Sequence, residues 1–372
     1  MGEKTFHRTA YHATRKKLDI EDATGVTRRA EQKARSTNKL DPMVDPSVDA
    51  IRRSLLRFDP AENGRWKVTI GCPMDIESIT DTTGSMGHNV DVAMEVLPDT
   101  YELCSQVLPG YDPQFALGIF GDVVDAFPFQ QMQFEMEAEK LVECLANMTP
   151  ERKGGDNPED PQYGLFAAAY LRSTYANRIG LKGYHFATSD APMHNRISED
   201  QLIRIFGDTV FDKIKENGYQ IDRDYLPMPK EVVSDLLKRT HAFFLQVGED
   251  DDARENWTKL YGAERVIALP NTKYLPHVKA VIIGLTEGTL QLEGVVEFLM
   301  KNNMSETEAK CVQRSVSKIP IGAQATLRAK IGHALPKAGD IFANKTDLWP
   351  VDATDIVAEL PDEETDDIDW LE

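Results

Sequence analysis

The sequence lacks the features that mark a disulfide-stabilised, membrane-spanning or exported protein. In 372 residues it has four cysteines, which lie far apart and form no CxxC pair: Cys72, Cys104, Cys144 and Cys311. Isolated cysteines argue against a zinc ribbon and against a disulfide framework. No apolar run approaches the ~18 residues of a membrane span, and the polar first residues contain no signal-peptide core. We therefore expect a cytoplasmic protein without a membrane segment.

Positive charge is also scarce, because 42 Lys and Arg stand against 61 Asp and Glu and give a net charge of −19. This balance disfavours general nucleic-acid binding, which depends on neutralising phosphates with Lys and Arg, and it favours the attraction of cations. The charge is unevenly distributed along the chain. Basic clusters such as Arg15-Lys16-Lys17 lie near the start, whereas Pro361–Glu372 contains no cation. We expect a basic, partly ordered arm at 1–64 and an acidic tail at 346–372.

Between these ends, apolar β-rich runs alternate with stretches of helical periodicity. The runs predict strands at Trp66–Cys72, Asp75–Thr80, Phe115–Phe120, Tyr184–Thr188, Ala242–Val247 and Arg265–Leu269. Residues 199–217 are predicted to be helical. Such alternation predicts an α/β fold with a doubly wound, mostly parallel sheet that helices cover on both faces. We assign this domain to residues 65–287 and expect a helical extension at 288–345.

The polar turn after the second predicted strand carries the strongest functional signal. Residues 81–87 read DTTGSMG and place Asp81, Thr83 and Ser85 at alternate positions. A short turn can direct these three oxygens at one point. Converging hard oxygens suit Mg²⁺, Ca²⁺ or Mn²⁺ better than Zn²⁺. The alternative interpretation is a turn without a ligand, since Asp, Thr, Gly and Ser are all common turn residues.

Two later segments carry acidic residues at comparable places. Residues 154–160 read GGDNPED and contain Glu159, while Asp190 closely follows the apolar run Tyr184–Thr188. The carboxyl ends of parallel strands share one edge of the sheet, and ligands bind there where the strand order reverses. We therefore expect Asp81 and Asp190 at the same edge. Each segment could alternatively be a solvated loop or a helix cap.

In this order the three segments resemble the metal-ion-dependent adhesion site of von Willebrand factor A domains. The sequence is most similar to the A domains associated with alpha-kinases and to those of integrin beta subunits, over about residues 65–287. The resemblance implies that Thr83 and Ser85 bind a metal directly and that Asp81 orients its ligand shell. It also implies that Glu159 and Asp190 complete the site, with Mg²⁺ as cofactor, or Mn²⁺ or Ca²⁺ in its place.

The resemblance to integrin beta subunits also implies a second cation site beside the first. Its residues would be Asp122, which follows a predicted strand, and Asp156 and Pro158 of the acidic loop. Ca²⁺ would suit this site best. The alternative is that these acidic residues are solvated, as loop carboxylates usually are.

The function that the resemblance implies is a metal-dependent protein-interaction module rather than an enzyme. One coordination position of the metal would remain open for an Asp or Glu carboxylate of a partner protein. Intracellular domains of this kind act as adaptors or complex subunits, so an AAA+ ATPase or a kinase is a plausible partner by resemblance. Two alternatives stay open. The same oxygens would suit a metal-dependent hydrolase or phosphatase, and the basic arm would suit a component of an RNA–protein particle.

Overall fold

The computed structural model describes residues 6–48, 58–69, 71–152, 158–331, 335 and 337–342. Asp156 and the predicted acidic tail at 346–372 lie outside the described residues, so the expectations for them stay predictions. Within the described residues, no helix is long and apolar enough to cross a membrane.

Two β-sheets occur in the described part of the chain. The strands are β1 (Phe58–Pro60), β2 (Trp66–Val68), β3 (Pro73–Asp81), β4 (Asp112–Phe120), β5 (Phe129–Gln131), β6 (Gly183–Ser189), β7 (Thr240–Gln246), β8 (Val266–Ala268) and β9 (Ile341–Phe342). The central sheet has the order β5-β4-β3-β6-β7-β8, and all its neighbours are parallel except the edge strand β5. The predicted mostly parallel α/β sheet is confirmed.

Strand β3 occupies the middle of this sheet, and all nine of its residues are buried. From β3 the chain first adds β4 and β5 on one side, and it then adds β6, β7 and β8 on the other. The strand order therefore reverses between β3 and β6. Asp81 ends β3, and Asp190 follows the last residue of β6. Both acidic residues consequently lie at the crevice where ligands of such sheets bind.

Helices cover both faces of the central sheet. They are α1 (Arg8–Lys17), α2 (Arg28–Thr37), α3 (His88–Glu95), α4 (Leu97–Val107), α5 (Ala138–Ala146), α6 (Gln162–Phe166), α7 (Tyr175–Arg178), α8 (Glu199–Phe206), α9 (Val210–Glu216), α10 (Pro229–Arg239), α11 (Asp251–Tyr261), α12 (Leu275–Glu287), α13 (Val295–Lys301), α14 (Glu306–Ser315) and α15 (Ala323–Ile331). A π-helical turn, Ala167–Leu171, continues α6. One apolar core includes residues of α3, α4, α5 and α12, and the other includes residues of α6 and α8–α11.

The segment predicted to be helical over 199–217 is divided in two, because the chain forms α8 and α9 there. Gly207 lies between them with a φ of +83°, a left-handed conformation that glycine adopts without steric cost. Its backbone N–H donates to the Ile203 carbonyl at 2.8 Å and closes the end of α8. The apolar spacing concealed the break, because both helices bury the side chains that suggested one helix: Leu202, Ile205, Phe206, Val210 and Ile214.

The N-terminal segment, predicted to be only partly ordered, contains two helices that pack on the α/β domain. The Phe6 ring stacks on Tyr101 with centroids 4.6 Å apart, and Arg8 Nε donates to Glu102 Oε1 at 2.8 Å. Arg35 likewise pairs with Glu151 at 3.2 Å. These arginines therefore interact with acidic side chains of the same chain, which leaves them less available for phosphate contacts.

Helices α13–α15 pack beside the α/β sheet. Val295 and Val312 are fully buried in the first apolar core. Ser315 Oγ of α14 donates to the Ala268 carbonyl of β8 at 3.4 Å. Gln324 of α15 is fully buried and donates to the Lys182 carbonyl at 2.7 Å. These helices thus contact both the β8 edge and the amino ends of the strands.

The small antiparallel sheet joins segments from before and after the central domain. Strand β2 pairs with β1 on one side and with β9 on the other. Gly71 follows β2, and its N–H bonds to Asp112 at the start of β4 at 2.6 Å. A Cβ atom at Gly71 would lie 2.8 Å from the Ala338 backbone nitrogen, so this approach requires glycine. The small sheet therefore lies at the amino end of the central strands, opposite Asp81.

Candidate functional site

A hydrogen-bonded network surrounds Asp81 at the carboxyl end of β3. Asp81 Oδ1 accepts from the Thr83 backbone N–H at 2.8 Å and from Thr83 Oγ1 at 2.7 Å. Asp81 Oδ2 accepts from Ser189 Oγ, the last residue of β6, at 2.5 Å. Asp81 and Thr83 are both fully buried. The carboxylate therefore fixes the orientation of hydroxyls from two neighbouring strand ends.

The network continues from Thr83 to the loop after β6. Thr83 Oγ1 lies 3.1 Å from Ser85 Oγ, and Ser85 Oγ donates to Asp190 Oδ1 at 3.0 Å. Ser85 is exposed and Asp190 is half-buried. The side-chain oxygens of four predicted site residues thus lie close together, from the buried Asp81 to the exposed Ser85, where solvent reaches the group.

Glu159 reaches this network from the acidic loop. It pairs with the loop after β6, because its N–H donates to the Pro192 carbonyl at 3.0 Å and its carbonyl accepts from the His194 N–H at 2.9 Å. Its side chain is 3 % exposed and lies close to Asp122 and Thr83. Its buried Oε2 has no hydrogen-bond partner among the described residues. The five predicted ligands, Asp81, Thr83, Ser85, Glu159 and Asp190, therefore gather at one edge of the sheet.

The carboxylates at this edge are held close together in a poorly solvated place. Burial raises the pKa of Asp81 to about 6, although hydrogen bonds from Ser189 and Thr83 oppose the shift. Burial, together with the neighbouring Asp122 and Asp81, raises the pKa of Glu159 well above its usual range. Burial also raises the pKa of Asp190. Across the described ranges, no Lys or Arg forms an ion pair with Asp81, Glu159 or Asp190.

The donor set at this edge fits a hard divalent cation. Among the described residues, no three His, Cys, Asp or Glu side chains form a group that could hold a metal ion. A cation here would therefore need the hydroxyl oxygens of Thr83 and Ser85 as well as carboxylates. Hydroxyl and carboxylate oxygens are the ligands that Mg²⁺, Mn²⁺ and Ca²⁺ accept. The buried Glu159 Oε2, which has no hydrogen-bond partner among the described residues, would gain one in such a cation.

The residues predicted for a second cation site are only partly described. Asp122 is 1 % exposed and lies beside Glu159, and Pro158 is half-buried directly before Glu159. Asp156 lies outside the described residues, so the complete set stays a prediction. Asp122 is held through its backbone, whose N–H donates to Asp125 Oδ2 at 2.8 Å.

Two polar residues of the site were missed in the sequence. Ser189 donates to Asp81, and Asp160 Oδ2 accepts from the Val123 N–H at 2.7 Å, which fixes the loop after β4. The register between β3 and β6 explains why Ser189 lies next to Asp81. Thr80 pairs with Thr188, so the next residues along the two strands, Asp81 and Ser189, are neighbours once β3 and β6 are placed side by side.

Comparisons with known proteins give only distant similarities. No family model and no curated protein matches the chain. The pilus adhesin SpaC from Lactobacillus rhamnosus GG, in its open conformation, is similar at 14 % identity and a TM-score of 0.40, over 61 % of this chain and 33 % of SpaC. Proximal thread matrix protein 1 from the mussel byssus is similar at 16 % identity and a TM-score of 0.37, over 59 % of this chain and 47 % of that protein.

A third solved structure, described as von Willebrand factor type A from Catenulispora acidiphila, has 12 % identity and a TM-score of 0.33. That similarity covers 59 % of this chain and 44 % of the other. The chain thus spans less than half the length of each of these three proteins. Similarity at this level supports no statement about function, and the fold class rests on the strand order and parallel pairing described above.

Proposed function

We propose that this chain is a divalent-cation-dependent protein-interaction module. A cation held by Thr83, Ser85 and the adjacent carboxylates would bind an Asp or Glu side chain of a partner protein. The observation that carries the proposal is the convergence of the Asp81, Thr83, Ser85 and Asp190 side-chain oxygens, each within 3.1 Å of the next, at the strand-order reversal. The predicted adaptor role and AAA+ ATPase or kinase partner belong to this proposal and rest on the motif resemblance alone, and the cytoplasmic location stays a prediction.

Accessibility and charge favour a carboxylate as the group that is bound. Thr83 and Asp81 are buried, whereas Ser85 is exposed, so a partner would reach the cation from the Ser85 side. Mg²⁺ prefers about six oxygen ligands and keeps several waters, one of which a carboxylate oxygen can replace. A bound cation would also reduce the repulsion between an acidic partner and a chain of net charge −19. Without a cation, the same edge would repel such a partner.

Calorimetric titration of the protein with a short peptide containing one aspartate tests the proposal. We expect the peptide to bind in MgCl₂ and to lose measurable binding in EDTA, because the carboxylate needs the cation as its partner. A matched peptide with asparagine in place of aspartate should not bind. Saturating Mg²⁺ should also stabilise the fold, by about 2.7 kcal/mol at a concentration of about 100 Kd. Equal binding of the aspartate peptide in MgCl₂ and EDTA would contradict the proposal.

Mg²⁺ affinity is expected to depend on pH. The Asp81 carboxylate supports the cation only in its ionised form. Burial raises the pKa of Asp81 to about 6. Protons therefore compete increasingly as the pH falls through 6, and we expect Asp81 alone to make binding about tenfold weaker at pH 5 than at pH 7, with any proton release from Glu159 adding to this loss. Calorimetric titration with MgCl₂ at the two pH values measures this. A constant affinity would show that Asp81 does not support the cation.

The proton on Glu159 provides a separate test of Mg²⁺ binding by the same calorimetric method. Its raised pKa means that it still holds its proton at mildly alkaline pH, so Mg²⁺ binding should release that proton from the wild type. The Glu159→Gln variant carries no such proton. We expect the heat of Mg²⁺ binding at pH 8 to depend on the ionisation enthalpy of the buffer for the wild type, and to depend on it less for the variant. Equal buffer dependence would place Glu159 outside the site.

A further inference from the structure

A cleft of about 440 Å³ opens directly beside the candidate cation site. Asp190, which accepts from Ser85, is one of its lining residues, and Cys311 is another. Asn89, Val247, Leu269 and Pro270 also line the cleft. Clefts that hold ligand groups commonly have volumes of about 300–1000 Å³. This cleft is therefore large enough to hold side chains of a bound segment, and it is continuous with the site.

Two apolar residues of the otherwise mixed cleft lining, Val247 and Leu269, are firmly held. Val247 and Leu269 directly follow β7 and β8 and are 6 % and 8 % exposed. The Val247 N–H donates to the Ser189 carbonyl at 3.0 Å, and the Leu269 N–H donates to the Gln246 carbonyl at 3.0 Å. These bonds continue the parallel ladder of the sheet into the cleft. Val247 and Leu269 therefore present a limited apolar surface in a fixed position.

The walls of the cleft come from different parts of the chain. Asn89 lies on α3, and its Oδ1 accepts from Thr272 Oγ1 at 2.7 Å, which joins two of the walls. Asn89 and Asn271 each have a side-chain Nδ2 for which the described residues supply no bond, so these amides can meet a partner's backbone. Cys311 lies on α14. The helices after the α/β domain thus contribute to the cleft.

Charges at the rim disfavour a second acidic residue in the partner. Among its described lining residues, Glu249 and Arg254 are the charged groups of the cleft outside the cation site. Arg254 Nε donates to Gln246 Oε1 at 3.0 Å. Asp250 and the first residue of α11, Asp251, follow Glu249 and are exposed. An apolar neighbour of the coordinated carboxylate would gain burial in the cleft, whereas an acidic neighbour would meet like charge.

We propose that this cleft is a specificity subsite that holds the partner residues next to the coordinated carboxylate and selects an apolar side chain there. The proposal rests on the function proposed above and adds the chemistry of the partner, which is an acidic residue with an aliphatic neighbour in an exposed segment. Helix α14 forms part of the subsite, so the helices beyond the α/β domain take part in recognition.

Three matched peptides test the preference in MgCl₂. Each contains one aspartate, which lies between two valines, between two serines or between two glutamates. We expect the valine peptide to bind about tenfold more tightly than the serine peptide, because a valine side chain buries more apolar area against Val247 and Leu269. The glutamate peptide should bind more weakly than the serine peptide.

Alkylation of Cys311 tests the position of the subsite. Cys311 is partly exposed, whereas Cys72, Cys104 and Cys144 are buried, so N-ethylmaleimide should modify Cys311 alone in the folded protein. The bulky adduct should fill the cleft and reduce the affinity for the valine peptide to about that for the serine peptide. Mg²⁺ affinity should not change. In the Cys311→Ser variant, which keeps a small side chain, the same treatment should have no effect.

The outcomes separate this inference from the proposed function. If aspartate peptides bind in a Mg²⁺-dependent manner but the valine and serine peptides bind equally, the subsite is wrong and the function stands. An unchanged valine preference after alkylation overturns the subsite as well. If no aspartate peptide shows Mg²⁺-dependent binding, both the function and the subsite are wrong.

Discussion

The Asp81→Asn variant is expected to bind Mg²⁺ about 10- to 100-fold more weakly than the wild type, with a matching loss of aspartate-peptide binding. Asp81 holds the Thr83 and Ser189 hydroxyls through its two carboxylate oxygens. An amide at this position has one acceptor oxygen and an NH₂ group that would face a donor. It also lacks the negative charge. The variant therefore removes both the orientation of Thr83 and part of the attraction for the cation.

Asp91→Asn is the matched control for this change. Asp91 lies on α3, ten positions after Asp81, and forms a largely exposed ion pair with Arg152 at 2.9 Å. The Asp91→Asn substitution also removes one negative charge from this region, but Asp91 makes no hydrogen bond to Asp81, Thr83, Ser85 or Asp190. We expect Mg²⁺ affinity within about twofold of wild type, since exposed pairs contribute about 0–1 kcal/mol. Calorimetric titration measures both variants, and circular dichroism verifies their fold. Equal affinities of the two variants would remove Asp81 from the site.

The Arg172→Met variant is expected to lose about 3–5 kcal/mol of unfolding free energy, because it leaves Glu77 as an uncompensated buried charge. Arg172 Nε lies 3.2 Å from Glu77 Oε1, and the two side chains are only 2 % and 6 % exposed. Arg172 also donates to the Met132 carbonyl at 3.2 Å and lies over the Phe134 ring. Urea denaturation measures the loss.

Two further variants distinguish charge burial from the loss of arginine itself. Arg223→Met removes an arginine that pairs with Glu199 but is 59 % exposed, and we expect it to cost less than about 1 kcal/mol. Glu77→Leu combined with Arg172→Met removes both buried charges and should recover most of the lost stability. A double variant as unstable as Arg172→Met alone would show that the buried charge is not the cause.

The central sheet was predictable because buried parallel strands have a strong sequence signal. Runs such as Phe115–Phe120 and Ala242–Val247 are almost wholly apolar, since helices cover both sides of each strand. Once the strands were placed, parallel pairing alone put Asp81 and Asp190 at one edge. The short strands of the second sheet were not predictable in the same way. Strand β2 pairs with β9, which is far away in the sequence, so the pairing has no local signal.

Other contacts were hidden because they depend on side chains that meet only in the folded chain. Arg172 follows a π-helical turn, and Glu77 lies in an apolar strand, so neither position suggests a buried ion pair. In the sequence, Ser189 directly follows the predicted strand Tyr184–Thr188, and nothing there indicates that it bonds to Asp81. The helix break at Gly207 was missed because one glycine does not interrupt the apolar spacing. The predicted metal, the partner and the chain boundaries of the domains stay predictions.

The small sheet also determines how this molecule could be presented to a binding partner. Strand β9 pairs with β2 at the amino end of the central strands, and Ser85 lies at the carboxyl end. Strand β3 alone has nine residues, which separates the two ends by roughly 30 Å at about 3.3 Å per residue. A tether or bead attached after Phe342 would therefore leave the cation edge facing outward. Immobilisation from that end suits surface-based measurements of this protein.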